Sequence, residues 1–195
     1  MHSDLSGKFS SPSLSGKRYY ITFTDDFSRY TWIYFLNKKS DAFETFKDWK
    51  TMAERLCNCT LQQFRSDNGG EYKNSEFMKH FKDECITHQF SVPYMHQQNG
   101  VAERLNQSII GTSLALLFDS GLGKQYWAEA CAYTVYLKNR TSHKALNGIT
   151  PYEALYGKKP DLSSIRRFGC RCFVSIPKEK RNKLEARAFE GIFIG

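Results

Sequence analysis

Two acidic residues stand in polar, glycine-bearing settings that suit chemistry. They are Asp67 in "RSDNGGEY" (65–72) and Glu103 in "QQNGVAERLN" (97–106), with 35 residues between them. Carboxylates gathered in one fold repel each other, and a shared divalent cation removes that repulsion. Two hard cations about 3.5–4 Å apart, held by two or three such groups, activate a water or hydroxyl and support the leaving oxygen in phosphodiester displacement. A third carboxylate would complete the set, and Asp4, Asp25 and Asp26 are the candidates. Taken singly, each segment has a plainer meaning: Asp-Asn-Gly-Gly is a turn sequence, and a glutamate early in a helix complements the dipole.

The elements that must position these groups follow from pattern. "KRYYITFTDD" (17–26) and "RYTWIYFLNK" (29–38) are β-branched and aromatic runs joined by a polar link, which predicts antiparallel strands. From Ser40, a plausible N-cap, Phe43, Phe46 and Trp49 recur at helical steps, followed less regularly by Met52 and Leu56. "TLQQFRSD" (60–67) predicts a strand that ends at Asp67, where Gly69 and Gly70 would supply unusual backbone angles. A short helix (75–85), a strand (86–94) stopped by Pro93, a long helix (99–121) capped by Asn99 and ended by Gly121, and a further helix (124–140) complete the order. On the long helix Val101, Leu105 and Ile109 form a core stripe, so Glu103 aims away from it with Asn106 and Gln107. This mixed α/β order gives way near residue 160 to short β-like runs.

Composition narrows the function classes. With 195 residues, 41% hydrophobic and 15% aromatic, the chain can build a packed core, and no run of 18 apolar residues is present to span a membrane. The first residues carry no apolar signal segment, so secretion is not expected, and the six cysteines read as reduced thiols rather than metal or disulfide partners. His80, His88, His96 and His143 show no ligand spacing and read as packing or solvent-facing residues. The net charge is +8, concentrated in 158–187, where ten basic residues face three acidic ones. A polyanion partner is the reading of that excess, and a solvated basic face is the alternative.

Together "HSDLSG", "YYITFTDDFSRYTWIYFL", "RSDNGGEY", "VPYMHQQNGVAERLN", "YWAEA", "TPYEALYGKKP" and "RRFGC" resemble the integrase core of copia-type LTR retrotransposons, within the retroviral integrase superfamily. The likeness covers essentially the whole chain. It implies an α/β, RNase H-like mixed five-stranded sheet flanked by helices over 1–160. Residues 161–195 would be the start of a small, basic SH3-like β-barrel. It also implies a triad of Asp4, Asp67 and Glu103 as catalytic residues and metal ligands, with Mg²⁺ or Mn²⁺, two ions, as the cofactor. Asp25 and Asp26 fall in a hairpin that resembles a structural turn. Two departures stand out: Met95-His96 replaces the usual residues before "QQNG", and neither the family's zinc-binding module nor the end of the small barrel lies within these 195 residues.

The implied activity is metal-dependent polynucleotidyl transfer that trims element DNA ends and joins them to target DNA, in a homo-oligomer, with no small-molecule substrate and no membrane. A nuclear location is expected for a functional copy, and an intracellular one otherwise. A non-catalytic DNA-binding remnant and an RNase H-type nuclease are the rivals; the full triad opposes the first and the 35-residue interval the second. Candidate DNA contacts are Arg104, Asn106 and Gln107 beside Glu103, and Arg166, Arg167, Arg171, Lys178, Lys180, Arg181 and Lys183 in the basic stretch. Asp4 is the fourth residue, so few ladder bonds are expected to hold it, and poor joining by the chain follows from that expectation. Titration calorimetry with Mg²⁺ or Mn²⁺ should show binding that weakens sharply in Asp67→Asn and in Glu103→Gln. Unchanged binding in both variants would remove the two residues from the site.

Overall fold

The computed structural model describes residues 1–67, 69–90 and 96–195, and within these the side chains of 96–99, 101 and 102 are not described. The main sheet has five strands: β1 (His2–Leu5), β2 (Tyr19–Thr24), β3 (Thr31–Leu36), β4 (Gln63–Ser66) and β5 (Thr87–Phe90), in the order β3-β2-β1-β4-β5. β1, β2 and β3 are antiparallel neighbours, whereas β1, β4 and β5 run parallel. The helices are α1 (Ala42–Cys57), α2 (Ser75–Asp83), α3 (His96–Ser120), α4 (Trp127–Arg140) and α5 (Pro151–Tyr156).

Helices cover both faces, which is why the strands read as near-continuous apolar runs rather than alternating ones. Ile21 and Phe23 point into one core, with Phe46 and Trp49 of α1, Phe64 of β4, and Phe77 and Phe81 of α2. Tyr20, next to Ile21 on the same strand, points to the other, with Leu105, Ile109 and Leu117 of α3 and Trp127 and Val135 of α4. Phe23 stacks on Trp49 with ring centroids 4.3 Å apart, and both are almost wholly buried.

Several local expectations need correction. Ser40 does not cap α1; it lies in a 3-10 turn, Lys39–Asp41, and Asp41 accepts from Lys38 N instead. Met52 and Leu56 are exposed, so the buried stripe of α1 is carried by Phe46, Trp49, Lys50 and Ala53. α3 begins at His96, upstream of the expected cap at Asn99. The expected strand end at Pro93, the substituted Met95 and the side chains of His96, Asn99 and Val101 lie outside the described residues. Gly121 ends α3 at φ 68°, as its sequence suggests.

β1 is tied on both sides. Its residues pair with β2 from His2 with Thr24 to Leu5 with Ile21, and Ser6 N donates to Tyr20 O. On the other side Arg65 N donates to Met1 O at 2.8 Å, and the Met1 amine donates to Gln63 O. The loose placement expected for Asp4 is therefore not what the structure shows, because the bonds on either side of residue 4 are made.

After α5 a second sheet pairs β6 (Arg171–Ser175) with β7 (Ala188–Ile192), antiparallel. The change of composition near 160 is not a break in packing: Phe168 is buried among the α3 and α4 residues, and Phe193 and Ile194 pack there too. Gly169, at φ 77°, sits against the end of α3, where an added Cβ would fall 2.2 Å from Ser120 Cβ. Only glycine satisfies both the angle and that approach.

The edge strand β3 is closed by a side chain. Asn139 of α4 accepts from Thr31 N at 2.9 Å and donates to Thr31 O at 2.8 Å, as a neighbouring strand would. Asn139→Ala should lower unfolding free energy by about 1–3 kcal/mol, and Asn139→Asp, which keeps only the acceptor, should also destabilise. Urea titration of both variants checks this; stability equal to wild type would mean that water replaces the amide.

Candidate active site

Asp4 lies in the central strand and Asp67 follows β4 directly, so parallel neighbours deliver both carboxylates to the same end of the sheet. Glu103 comes from the first half of α3 and is exposed. Burial pushes the Asp4 carboxyl up to about 6, the Asp67 charge pushes in the same direction, and Glu103 adds a smaller push. Asp67 and Glu103 therefore both act on Asp4. Among the described residues no three acidic, histidine or cysteine side chains are drawn close enough to enclose a metal.

Asp4 is held from behind. Asn106 Nδ2 donates to Asp4 Oδ2 at 2.5 Å, and Tyr20 Oη donates to Asn106 Oδ1 at 3.2 Å. The amide is thus engaged at both ends, with the second N–H of Nδ2 still available as a donor. Nothing in the sequence pairs Tyr20 with Asn106, 86 residues away; only the crossing of α3 over β2 does so. Gln107 and Arg104 are exposed, as expected.

The turn after β4 also differs from its sequence-level account. Gly69 has φ −54° and ψ 139°, angles open to any residue. Space is the reason for glycine there: an added Cβ would sit 2.8 Å from Glu71 Cδ and 3.0 Å from Asp67 Oδ1. Asp67 Oδ1 accepts from Gly69 N at 3.0 Å. Glu71, almost covered, is met by Lys39 Nζ at 3.3 Å, so an ion pair from the 3-10 turn before α1 steadies the turn that bears Asp67. Gly70 has neither a positive φ nor a close neighbour, and its glycine is unexplained. The hairpin acids are structural: Asp25 accepts from Ser28 N and Oγ, and Asp26 pairs with Arg29 at 2.6 Å.

The basic stretch is less free than its charge suggests. Arg167 makes two bonds to Asp119 at the end of α3, and Arg171 pairs with Glu190 across the small sheet. Arg166 donates to the carbonyls of Ser163 and Ile165. Lys178, Lys180 and Lys183 are exposed in the connection between β6 and β7, with Arg181 among them partly covered, and these keep the surplus charge. Sequence counting could not separate the two groups, because the neutralising acids lie elsewhere in the chain.

Residues 1–96 match the family described as the integrase core domain, and residues 170–195 match the retroviral polymerase SH3-like domain. The retrovirus-related Pol polyprotein from transposon TNT 1-94 of Nicotiana tabacum is 37% identical over 195 residues, all of this chain and 15% of that protein. The corresponding polyprotein from transposon RE1 of Arabidopsis thaliana is 36% identical over 189 residues, 96% of this chain and 13% of that one. The chain belongs to the integrase core family. The chain spans 13–15% of the length of these relatives. Among solved structures, the HTLV-2 integrase catalytic core domain in complex with magnesium matches at TM-score 0.56 and 19% identity, over 79% of this chain and 93% of that one. A simian T-cell lymphotropic virus intasome in complex with a PP2A regulatory subunit matches at TM-score 0.60 and 16% identity, over 98% and 66%. The integrase-core fold, a mixed five-stranded sheet flanked by helices with a separate two-stranded sheet after it, is that of this chain.

The donor set of this integrase core suits a hard divalent cation: three acidic residues, of which Asp67 and Glu103 raise the cost of ionising Asp4, whose second oxygen is fixed by an amide. Without a cation, the folded Asp4 carboxyl keeps its proton up to about 6, whereas an unfolded one releases it near 4. The unfolded state therefore binds fewer protons between these values, and the metal-free fold loses stability as pH rises from about 4 to 6. Thermal melts in chelator should show Asp4→Asn gaining on wild type across that interval and holding its gain above it. Saturating Mn²⁺ should abolish the gain; parallel curves for the two proteins at every pH would contradict the burial of Asp4.

Proposed function

We propose that this integrase core is a divalent-metal-dependent polynucleotidyl transferase that acts on DNA ends and joins them to a second DNA. The observation that supports it is that the charges of Asp67 and Glu103 both reach the buried Asp4 carboxyl at one end of the sheet. Asp4 and Asp67 lie within the residues that match the integrase core domain, and Glu103 follows them.

Asp4, Asp67 and Glu103 would hold the cations. When bound, such ions supply charge neutralisation at the phosphoryl group and an oxygen nucleophile at neutral pH. The chain's own residues do the positioning. Tyr20 orients the Asn106 amide, which fixes one oxygen of Asp4 and leaves the other to face a ligand. The Lys39–Glu71 pair and the Gly69 N–H aim Asp67. Glu103, exposed on a long helix, closes the site from the opposite side. Phosphoryl transfer needs little more from a protein than such placement and charge. A nuclear location and assembly with further copies of the chain belong to the same reading.

A labelled duplex incubated with the full chain and Mn²⁺ should undergo strand cleavage or joining that is lost in Asp67→Asn and Glu103→Gln. Asn106→Ala should weaken Mn²⁺ binding by about 10–100-fold, as loss of a group that orients a metal ligand does, with Tyr20→Phe losing less. Duplex binding of equal strength with and without Mn²⁺, together with no strand exchange, would identify a non-catalytic DNA-binding protein instead.

A further inference from the structure

We propose that a second site, behind the first half of α3, takes a phosphate group of a nucleic-acid backbone through Arg104, Lys138 and His143, with Arg29 at its rim. A cavity of about 330 Å³ opens there between the β2–β3 hairpin, α3, the last turn of α4 and the segment after it. Thr24 and Thr31, whose hydroxyls bond each other at 3.1 Å, line it with the four basic residues, and no carboxylate lines it among the described residues.

The charges gathered in this cavity oppose one another. Lys138 is half-buried, and loss of water holds its ammonium below the usual lysine range. His143 is held down by burial and by the charges of Lys138 and Arg29. Arg29 has a partner, Asp26 at 2.6 Å, but among the described residues no carboxylate pairs with Lys138 or Arg104. Cations placed together without acids need an anion, just as gathered carboxylates need a metal.

The donors are also presented. His143 Nδ1 accepts from Ala145 N at 3.2 Å, so the neutral ring carries its proton on Nε2, free to donate. Arg104 lies along its own helix, its guanidinium close over Gly100, and the absence of a side chain there makes the room. Lys138 alone could be explained as a charge that complements the end of α4. That explanation does not account for Arg104 and His143, which come from other elements and reach the same cavity.

A backbone phosphate, rather than a free one, fits the position. Arg104 follows Glu103 on α3, about 100° around the axis, so a strand with one phosphodiester at the carboxylates offers further phosphates to this side of the helix. This choice of ligand rests on the proposed function; the cation cluster does not.

The test is duplex binding by the full chain in EDTA, which reads no metal chemistry, followed by fluorescence anisotropy from 50 to 200 mM salt. Arg104→Gln and Lys138→Gln should each weaken binding several-fold. The double variant should lower the slope of log K against log salt by about 0.9 for each phosphate it no longer neutralises. Lys138→Arg should restore most of the affinity, and Lys47→Gln, on α1 and paired with Glu44, should change nothing. In wild type, the His143 ring resonances should shift saturably with duplex but not with inorganic phosphate at the same phosphate concentration. A folded double variant with an unaltered slope would overturn the proposal. So would His143 shifts that saturate with inorganic phosphate and ignore duplex, which would mark a free-anion pocket. Should the double variant fail to fold, the resonances of the wild-type protein decide the matter, and failed strand exchange in Mn²⁺ leaves this result standing.

Discussion

A four-residue strand in the centre of the sheet carries an ionisable group, and the rest of the fold is arranged around that constraint. β1 has β2 antiparallel on one side and β4 parallel on the other, with helices over both faces. A central strand this short has few bonds of its own. Its place is held by Met1, Ser6, Gln63 and Arg65 at its margins and by the stacked aromatics beneath it. Burial makes the Asp4 carboxylate costly, and the amide of Asn106 offsets part of that cost. A parallel neighbour is equally necessary: because β4 runs the same way as β1, Asp67 emerges where Asp4 lies.

Much of this is legible in the sequence. The aromatic runs at 19–36 and the Phe46–Trp49 spacing mark the hairpin and α1, and the motif resemblance supplies the topology that local patterns cannot. Three kinds of information are not legible. Pattern misplaces the caps, at Ser40 and Asn99, because several polar residues near a helix start are equivalent until the chain is folded. Gly69 reads as conformational when its role is spatial, and only the proximity of Glu71 shows that. Partners remote in sequence, such as Tyr20 with Asn106 or Arg167 with Asp119, are fixed by the crossing of elements and leave no trace in local spacing. The basic excess of 158–187 can be counted in the sequence, but which of its members are neutralised depends on acids outside it.

α3 separates two unlike electrostatic environments. On one side of its first turns stand acids whose charges raise the proton affinity of Asp4, and on the other stand cations whose charges lower that of His143. Glu103 and Arg104, adjacent in sequence, belong to opposite groups. A polyanion that carries cations with it meets both requirements at once, since its phosphates match one side and its counterions match the other.

Gly169 has a mechanical consequence. It lets the segment before the small sheet press directly on Ser120, and the Arg167–Asp119 bonds fasten the same corner. Glu103, near the other end of α3, lies 17 residues away, about 26 Å along a stiff rod. A tilt of about 5° applied at the fastened end swings the far end through about 2 Å, where an error of about 1 Å can change a rate a hundredfold. If the helix moves as one body, a load on the small basic sheet becomes a change of aim at the Glu103 carboxylate.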